Sequence, residues 1–170
     1  MTAETILVLG GARSGKSAEG ERLIARHPGP LAYIATAEAG DAEMAARIAT
    51  HRARRGPQWR TIEAPIALAA AITGAASLPT LVDCLTLWLS NLLLADHNIA
   101  AATATLEDAL AAHPAPIALV ANEVGLGIVP DNPLARRFRD EAGALNQRLA
   151  AGADRVLMMV AGYPIEVKRP

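Results

Sequence analysis

The residues Gly10-Gly11-Ala12-Arg13-Ser14-Gly15-Lys16-Ser17 follow the short apolar run Ile6-Leu7-Val8-Leu9 near the start of the chain. They match the phosphate-binding P-loop pattern G-x-x-x-x-G-K-[ST] at every fixed position, and the helix-forming residues 18–25 follow, as the motif requires. Glycines let the backbone turn tightly and direct successive N–H groups at one point, where polyphosphate oxygens bind. The sequence therefore predicts a nucleoside triphosphate site, with Lys16 on the β- and γ-phosphates and Ser17 on Mg²⁺. An ordinary glycine-rich turn is the alternative.

The composition predicts a single domain that spans residues 1–170 and excludes several functional classes. Hydrophobic residues make up 52% of the chain and aromatic residues 3%, so the core must be built from aliphatic side chains. The net charge of −1 and the few scattered aromatics argue against a nucleic-acid-binding surface. The single cysteine, Cys84, excludes an intrachain disulfide. With no signal-like N-terminus and no apolar run long enough to span a bilayer, we expect a cytoplasmic protein.

The chain alternates short apolar runs with longer helical stretches. Strands are predicted at residues 6–9, 31–35, 59–63, 80–83, 117–122 and 156–160, and helices at 14–27, 41–54, 66–75, 85–95, 100–112 and 133–151. Apolar strands separated by helices are typical of a mostly parallel sheet covered on both faces. Residues 163–168 follow Gly162 closely and are predicted to turn back as an antiparallel edge strand. The predicted fold is a three-layer α/β domain of the P-loop NTPase type.

A carboxylate ends one of these predicted strands. Thr80-Leu81-Val82-Asp83 has the form of a Walker B element, whose acidic residue holds Mg²⁺ beside a P-loop. Because Asp is also a favoured helix N-cap, a capping role for Asp83 is the alternative.

A basic cluster lies between the second and third predicted strands. Arg47, His51 and Arg54 are spaced to share one face of a helix, where like charges repel unless an anion lies between them. A histidine among arginines tends to lose its proton, and unprotonated imidazole is a competent nucleophile toward phosphorus. A solvated basic helix face is the alternative that composition alone favours.

A third polar strand end is formed by Asn122 and Glu123, before a loop with two glycines. In an open parallel sheet, ligands bind at the carboxyl ends of strands, so these residues are expected at the same edge as the P-loop and Asp83. A strand-to-loop turn with local hydrogen bonds is an equally good interpretation.

Together these motifs resemble one family, the bifunctional adenosylcobinamide kinase / adenosylcobinamide-phosphate guanylyltransferases of cobalamin biosynthesis. The resemblance extends from the P-loop through residues 34–36, 44–55, 59–63 and Asp83 to 122–130, 134–140 and 146–150. It covers nearly the whole chain, and the ordered set of motifs is far more specific than the P-loop alone.

The resemblance implies a reaction and a set of site residues. His51 matches the histidine that becomes covalently guanylylated in the family, and Lys16 is the second catalytic residue. Ser17 and Asp83 are implied as the residues that hold Mg²⁺. The implied nucleotide contacts are Gly10, Gly11, Ala12, Arg13, Ser14, Gly15, Lys16, Ser17, Ile34, Ala35, Thr36, Arg52, Ala53, Arg54, Arg55, Glu63 and Asp83.

The family also implies substrates and an assembly. Adenosylcobinamide would be phosphorylated with ATP or GTP, and adenosylcobinamide-phosphate would then receive GMP from GTP through the His51 adduct. A homotrimer is expected by the same resemblance. Two other functions remain open from the residues alone: a generic P-loop small-molecule kinase, and a non-enzymatic nucleotide-dependent binding module. Neither predicts a covalent GMP adduct.

Overall fold

The computed structural model describes residues 3–37, 56–75 and 77–170. The strands in these ranges are β1 Thr5–Gly10, β2 Leu31–Ala35, β3 Trp59–Glu63, β4 Thr80–Asp83, β5 Ile117–Asn122, β6 Arg155–Val160 and β7 Tyr163–Lys168. The helices are α1 Lys16–Ile24, α2 Leu68–Gly74, α3 Leu85–Leu94, α4 Ile99–Ala112 and α5 Pro133–Gly152.

The strands form one seven-stranded sheet in the order β3-β2-β4-β5-β1-β6-β7. All neighbouring pairs are parallel except β6 and β7, which form an antiparallel hairpin around Gly162. The predicted α/β fold with a mostly parallel sheet and an antiparallel C-terminal edge strand is confirmed. Because β1 lies between β5 and β6, the loop that leaves β1 is flanked by the loops that leave those two strands.

The register brings the carboxyl ends of the parallel strands to one edge of the sheet, called here the carboxyl edge. Gly10 is opposite Asn122 and Met159, and Asp83 is opposite Ala35. The P-loop and the polar ends of β4 and β5 therefore lie at the same edge, where ligands bind in open α/β sheets.

Apolar side chains alternate between the two faces of the central strands and form two cores. Leu7, Ile34 and Val82 point into one core, which also contains side chains of α2 to α5 such as Trp88. Their sequence neighbours, such as Val8 and Leu81, point into the other core with Leu23 and Ile24 of α1. These two cores make the three layers predicted from the alternating pattern. No helix in the described part of the chain is long and apolar enough to cross a membrane.

Helix boundaries differ from the sequence predictions mainly in α1. It begins at Lys16 and not at Ser14, because Arg13 and Gly15 have left-handed backbone conformations with φ of 56° and 95°. The helix ends at Ile24, three residues early, before the left-handed Gly29. Helix α5 begins with Pro133 in its first turn, and Asn132 caps it, since Asn132 Oδ1 accepts from Leu134 N at 2.8 Å. The predicted helix at 41–54 lies outside the described residues.

We expect buried His113 to make the protein less stable in acid. Its Nε2 lies 3.2 Å from the carbonyl oxygen of Leu78, and burial lowers the pKa of His113 below its ordinary value of 6.5. The unfolded chain then binds a proton more tightly than the folded one, so the free energy of unfolding falls as pH drops below about 6.5. Urea unfolding at near-neutral and mildly acidic pH should show this loss in the parent protein and a smaller loss in His113→Gln. An equal loss in both proteins would assign the acid sensitivity to other groups.

Candidate active site

The P-loop packs against the β6–β7 hairpin and requires glycine at two positions. A side chain on Gly10 would place its Cβ 2.4 Å from Ser14 Oγ and 3.0 Å from the carbonyl oxygen of Met159. Gly15 has φ of 95°, and a Cβ there would lie 3.3 Å from Gly162 Cα. The backbone N–H of Gly162 donates to the carbonyl oxygen of Ser14 at 3.0 Å. The hairpin therefore supports the loop from one side.

One polar side chain of the loop is buried without a hydrogen-bond partner. Ser14 is 8% exposed. Among the described residues, its Oγ is the buried side-chain atom that has no hydrogen-bond partner. An unsatisfied buried hydroxyl costs free energy, so such an atom calls for an explanation. A ligand phosphate at the loop would supply the missing partner. Gly11, Ala12 and Arg13, by contrast, are exposed, so the loop is open to solvent on its outer side.

Lys16 is folded back onto the loop. Its Nζ donates to the carbonyl oxygen of Gly11 at 2.9 Å. Burial lowers the pKa of Lys16, and the neighbouring Cys84 and Asp83 act in the opposite direction. An ammonium has three donors, so Lys16 retains donors for phosphate oxygens while one bond fixes its position.

Asp83 is held by two hydroxyl groups at the carboxyl edge. Ser17 Oγ donates to Asp83 Oδ1 at 3.0 Å, and the Tyr33 hydroxyl donates to Asp83 Oδ2. The N-cap of the following helix is Cys84, and no side chain there makes a capping hydrogen bond. The structure thus does not give Asp83 the capping role that was its alternative interpretation. The carboxylate is directed at the P-loop.

The backbone that carries Asp83 is fixed by a second set of bonds. Thr36 is fully buried, and its Oγ1 lies 2.9 Å from the carbonyl oxygen of Asp83 and 2.7 Å from that of Cys84. Asn91 Nδ2 donates to the carbonyl oxygens of Thr36 at 2.9 Å and Pro65 at 3.0 Å. Helix α3 therefore connects the ends of β2, β3 and β4, which positions Asp83 relative to the P-loop.

Cys84 follows Asp83 in a left-handed conformation with φ of 80°. The side chain is only partly buried and lies near Lys16. Burial raises the pKa of the Cys84 thiol. The Cys84 side chain is therefore a protonated thiol near neutral pH, which is less reactive than a thiolate.

Asn122 and Glu123 join the P-loop through their backbone. The N–H of Glu123 donates to the carbonyl oxygen of Gly10 at 3.0 Å. The Glu123 carboxylate accepts from the N–H of Gly125 at 2.5 Å, which is the local turn bond that was one interpretation of this segment. The predicted position at the carboxyl edge is confirmed, while the carboxylate is used by its own loop.

The other predicted site residues fall into three groups. Ile34 is fully buried in the core, so its side chain is turned away from solvent. Ala35 and the exposed Glu63 lie opposite each other at the carboxyl ends of β2 and β3. His51, Arg52, Ala53, Arg54 and Arg55 lie outside the described residues, and their roles stay predictions.

Two residues at this site were missed by the sequence analysis, namely Tyr33 and Asn91. Tyr33 was counted only as a scattered aromatic, although a buried tyrosine in a strand needs a partner for its hydroxyl. Asn91 interrupts the apolar helix Leu85–Leu94, which is a similar signal. In both cases the partner became visible only when the strand order was known.

The residues present fit a phosphate-bound Mg²⁺ better than a metal held by protein alone. In the ranges that the structure describes, no three His, Cys, Asp or Glu side chains form a possible metal site. Mg²⁺ commonly takes one or two protein oxygens together with phosphates and water. The hydroxyl of Ser17 and the carboxylate of Asp83, 3.0 Å apart, are such a pair.

Comparison with known proteins gives consistent results. The model of the family described as cobinamide kinase / cobinamide phosphate guanyltransferase matches residues 6–167. A bifunctional adenosylcobalamin biosynthesis protein of Pseudomonas aeruginosa is 52% identical over 95% of this chain and 96% of its own length. A protein of the same description from Salmonella typhimurium is 45% identical over 96% and 99%.

Solved structures support the fold at low sequence identity. A Pyrococcus horikoshii protein aligns with a TM-score of 0.57 at 10% identity, over 99% of this chain and 87% of its own. A KaiC-like protein from the same organism aligns with a TM-score of 0.53 at 13% identity, over 92% and 71%. At these identities the likeness concerns the fold alone.

Proposed function

This chain belongs to the cobinamide kinase / cobinamide phosphate guanyltransferase family, and we propose a two-step reaction for it. In the first step, adenosylcobinamide is phosphorylated with ATP or GTP. In the second, GMP from GTP passes through a covalent His51 adduct to adenosylcobinamide-phosphate, giving adenosylcobinamide-GDP. The enzyme is a bifunctional kinase and guanyltransferase of adenosylcobalamin biosynthesis, as its relatives are named.

The P-loop geometry is the observation that carries the kinase step. The hydroxyl of the substrate's aminopropanol arm attacks the γ-phosphorus, and the bond to the β-phosphate oxygen breaks. Lys16 and the P-loop N–H groups stabilise the negative charge that develops on the phosphate oxygens. Lys16 Nζ lies 2.9 Å from the Gly11 carbonyl oxygen, so its ammonium is held at the loop that would bind the phosphates.

Mg²⁺ would be held by Ser17 and Asp83 together with the phosphates. Bound there, it would neutralise negative charge on the phosphates. The Tyr33 hydroxyl keeps Asp83 oriented toward Ser17, since it bonds the carboxylate oxygen that Ser17 does not use.

The guanylyl transfer rests on the family resemblance of His51. Its imidazole nitrogen attacks the α-phosphorus of GTP, the bond to the pyrophosphate oxygen breaks, and an N–P bond forms. A phosphate oxygen of adenosylcobinamide-phosphate then attacks the same phosphorus and frees the imidazole. Two steps let a weakly nucleophilic phosphate meet an activated phosphorus. Arg52, Arg54 and Arg55 are suited to hold the polyphosphate, because a guanidinium matches phosphate oxygens.

A homotrimeric assembly and a cytoplasmic location complete the proposal, on the strength of the resemblance.

A single incubation tests the proposed function. Purified protein with adenosylcobinamide, Mg²⁺ and ATP or GTP should yield adenosylcobinamide-phosphate, and with GTP also adenosylcobinamide-GDP, detected by liquid chromatography and mass spectrometry. Phosphorylation without guanylylation would indicate a small-molecule kinase. Nucleotide binding with no corrinoid product would indicate a binding module instead.

The Asp83 and Tyr33 contacts predict a graded change in the Mg²⁺ requirement. Asp83→Asn removes a charged metal ligand, so the Mg²⁺ concentration for half-maximal kinase rate should rise about tenfold or more. Tyr33→Phe keeps the charge but frees one carboxylate oxygen, so a smaller rise in the same quantity is expected. The measurement is the initial rate against free Mg²⁺ at saturating nucleotide.

The matched control is Asp108→Asn, which changes an exposed carboxylate on α4. Its Mg²⁺ dependence should equal that of the parent protein. If Asp83→Asn lowers the maximal rate but leaves the Mg²⁺ dependence unmoved, Asp83 has a structural role and the metal assignment is wrong.

A further inference from the structure

A group of large apolar side chains faces solvent beside the nucleotide site. Ile128 is 97% exposed, Leu126 84%, Val129 61% and Leu134 52%. We call these four residues the apolar rim. Such a dense run of exposed apolar side chains is unusual on a soluble protein and marks an interaction surface.

The apolar rim is attached to the P-loop. Its residues lie in the loop from β5 to α5 and in the first turn of α5, at the carboxyl edge of the sheet. The loop leaves β5 next to β1, and the N–H of Glu123 donates to the carbonyl oxygen of Gly10. The loop that carries the rim therefore starts beside the P-loop.

The polar side chains in and next to this loop form hydrogen bonds to the backbone of the loop and of the first turn of α5. Arg136 Nη1 donates to the carbonyl oxygens of Pro130 at 2.9 Å and Asp131 at 2.7 Å. Asn132 caps α5, and the Glu123 carboxylate accepts from the Gly125 N–H. These hydrogen bonds fix the backbone at both ends of the loop, and the apolar side chains of the loop face solvent.

The opposite side of the P-loop is apolar too. The β6–β7 turn, whose Gly162 bonds to Ser14, carries Val160 at 52% exposure and Tyr163 at 77%. Because β1 lies between β5 and β6, the P-loop has the loop of the apolar rim on one side and the β6–β7 turn on the other.

We propose that the apolar rim binds the apolar face of the corrin macrocycle of cobinamide and places its aminopropanol hydroxyl at the γ-phosphate. This inference rests on the proposed function. The acceptor carries its reactive hydroxyl on a flexible arm of a large macrocycle, so the macrocycle must lie beside the P-loop while the hydroxyl reaches into it. The rim is the surface that meets this requirement and offers apolar contact.

Two other occupants fit the rim less well. A nucleobase is recognised by polar contacts to its edge, but the Glu123, Asn132 and Arg136 side chains are engaged with the loop. A second copy of the chain would cover the rim and close the approach of a bulky acceptor to the P-loop. Both occupants are nonetheless outcomes that the experiment detects.

The test is the double variant Leu126→Ser/Ile128→Ser, with Leu94→Ser as the matched control. Both changed residues are exposed, so folding should not be affected. Leu94 is 75% exposed at the end of α3 and is not part of the apolar rim. Adenosylcobinamide binding is measured by equilibrium dialysis through the corrinoid absorbance, with a non-hydrolysable ATP analogue and Mg²⁺ present. The KM for nucleotide and the molar mass by light scattering are measured on the same samples.

The double variant should raise the Kd and KM for adenosylcobinamide about tenfold or more, with the KM for nucleotide and the molar mass unchanged. Leu94→Ser should match the parent protein in every quantity. A raised KM for nucleotide would assign the rim to the base, and a lower molar mass would assign it to a subunit interface; either overturns the proposal, as does unchanged corrinoid binding. A parent protein that neither binds nor phosphorylates adenosylcobinamide would instead refute the proposed function itself.

Discussion

Replacing Lys16 by alanine should lower kcat/KM of the kinase step about 10²- to 10³-fold. The transferred phosphoryl group spreads negative charge over its oxygens in the transition state, and little covalent chemistry is left for the protein to do. Lys16 is the charged P-loop side chain whose ammonium is held at the loop, through its 2.9 Å bond to Gly11. Because the same loop is proposed to bind GTP, GMP adduct formation should fall as well. Both are measured as initial rates at several nucleotide concentrations.

The matched control for this variant is Lys168→Ala. Lys168 also donates to backbone carbonyls, at 3.1 Å to Ala150 and 3.0 Å to Ala151, but it lies at the end of the outermost strand. Losing these bonds at the end of α5 should lower the thermal midpoint slightly while kcat/KM stays at the parent value. An unchanged kinase rate in Lys16→Ala, with an intact thermal midpoint, would rule out the assigned role of the P-loop.

The sheet was predictable because each strand carries its own signal. Runs such as 117–122 are continuously apolar, as strands buried on both faces must be, and polar or glycine residues end them. The bounds of β2 to β5 match the prediction. The start of α1 did not, because the left-handed conformations of Arg13 and Gly15 serve the P-loop and override the helix propensity of their neighbours.

The connections between elements could not be predicted in the same way. The Tyr33–Asp83 and Ser17–Asp83 bonds join residues that are 50 and 66 positions apart. They exist because β2 pairs with β4 and because α1 packs on the sheet close enough that a Cβ on Gly20 would lie 2.8 Å from Leu81. Local periodicity contains no information on that strand order. The position of Asp83 at the carboxyl edge was predictable, whereas its hydroxyl partners were not.

Replacing His51 by alanine should abolish covalent labelling of the protein by GTP while phosphorylation of adenosylcobinamide continues. The proposed adduct needs an imidazole nitrogen as nucleophile, and alanine offers none. The kinase step uses Lys16 and Ser17, which the change does not touch. Labelling is measured with GTP carrying radioactive phosphorus at the α position, after denaturation and removal of free nucleotide. Adenosylcobinamide-GDP formation should fall to the background rate.

Three controls accompany this experiment. GTP labelled at the γ position should leave no label on the parent protein, because pyrophosphate departs when the adduct forms. The adduct on the parent should be lost in acid and persist in base, as expected for a phosphorus–nitrogen bond. His97→Ala, which removes an exposed histidine in the turn after α3, should label like the parent. Labelling that survives in His51→Ala would show that another residue is the nucleophile, and the assignment of His51 would be wrong.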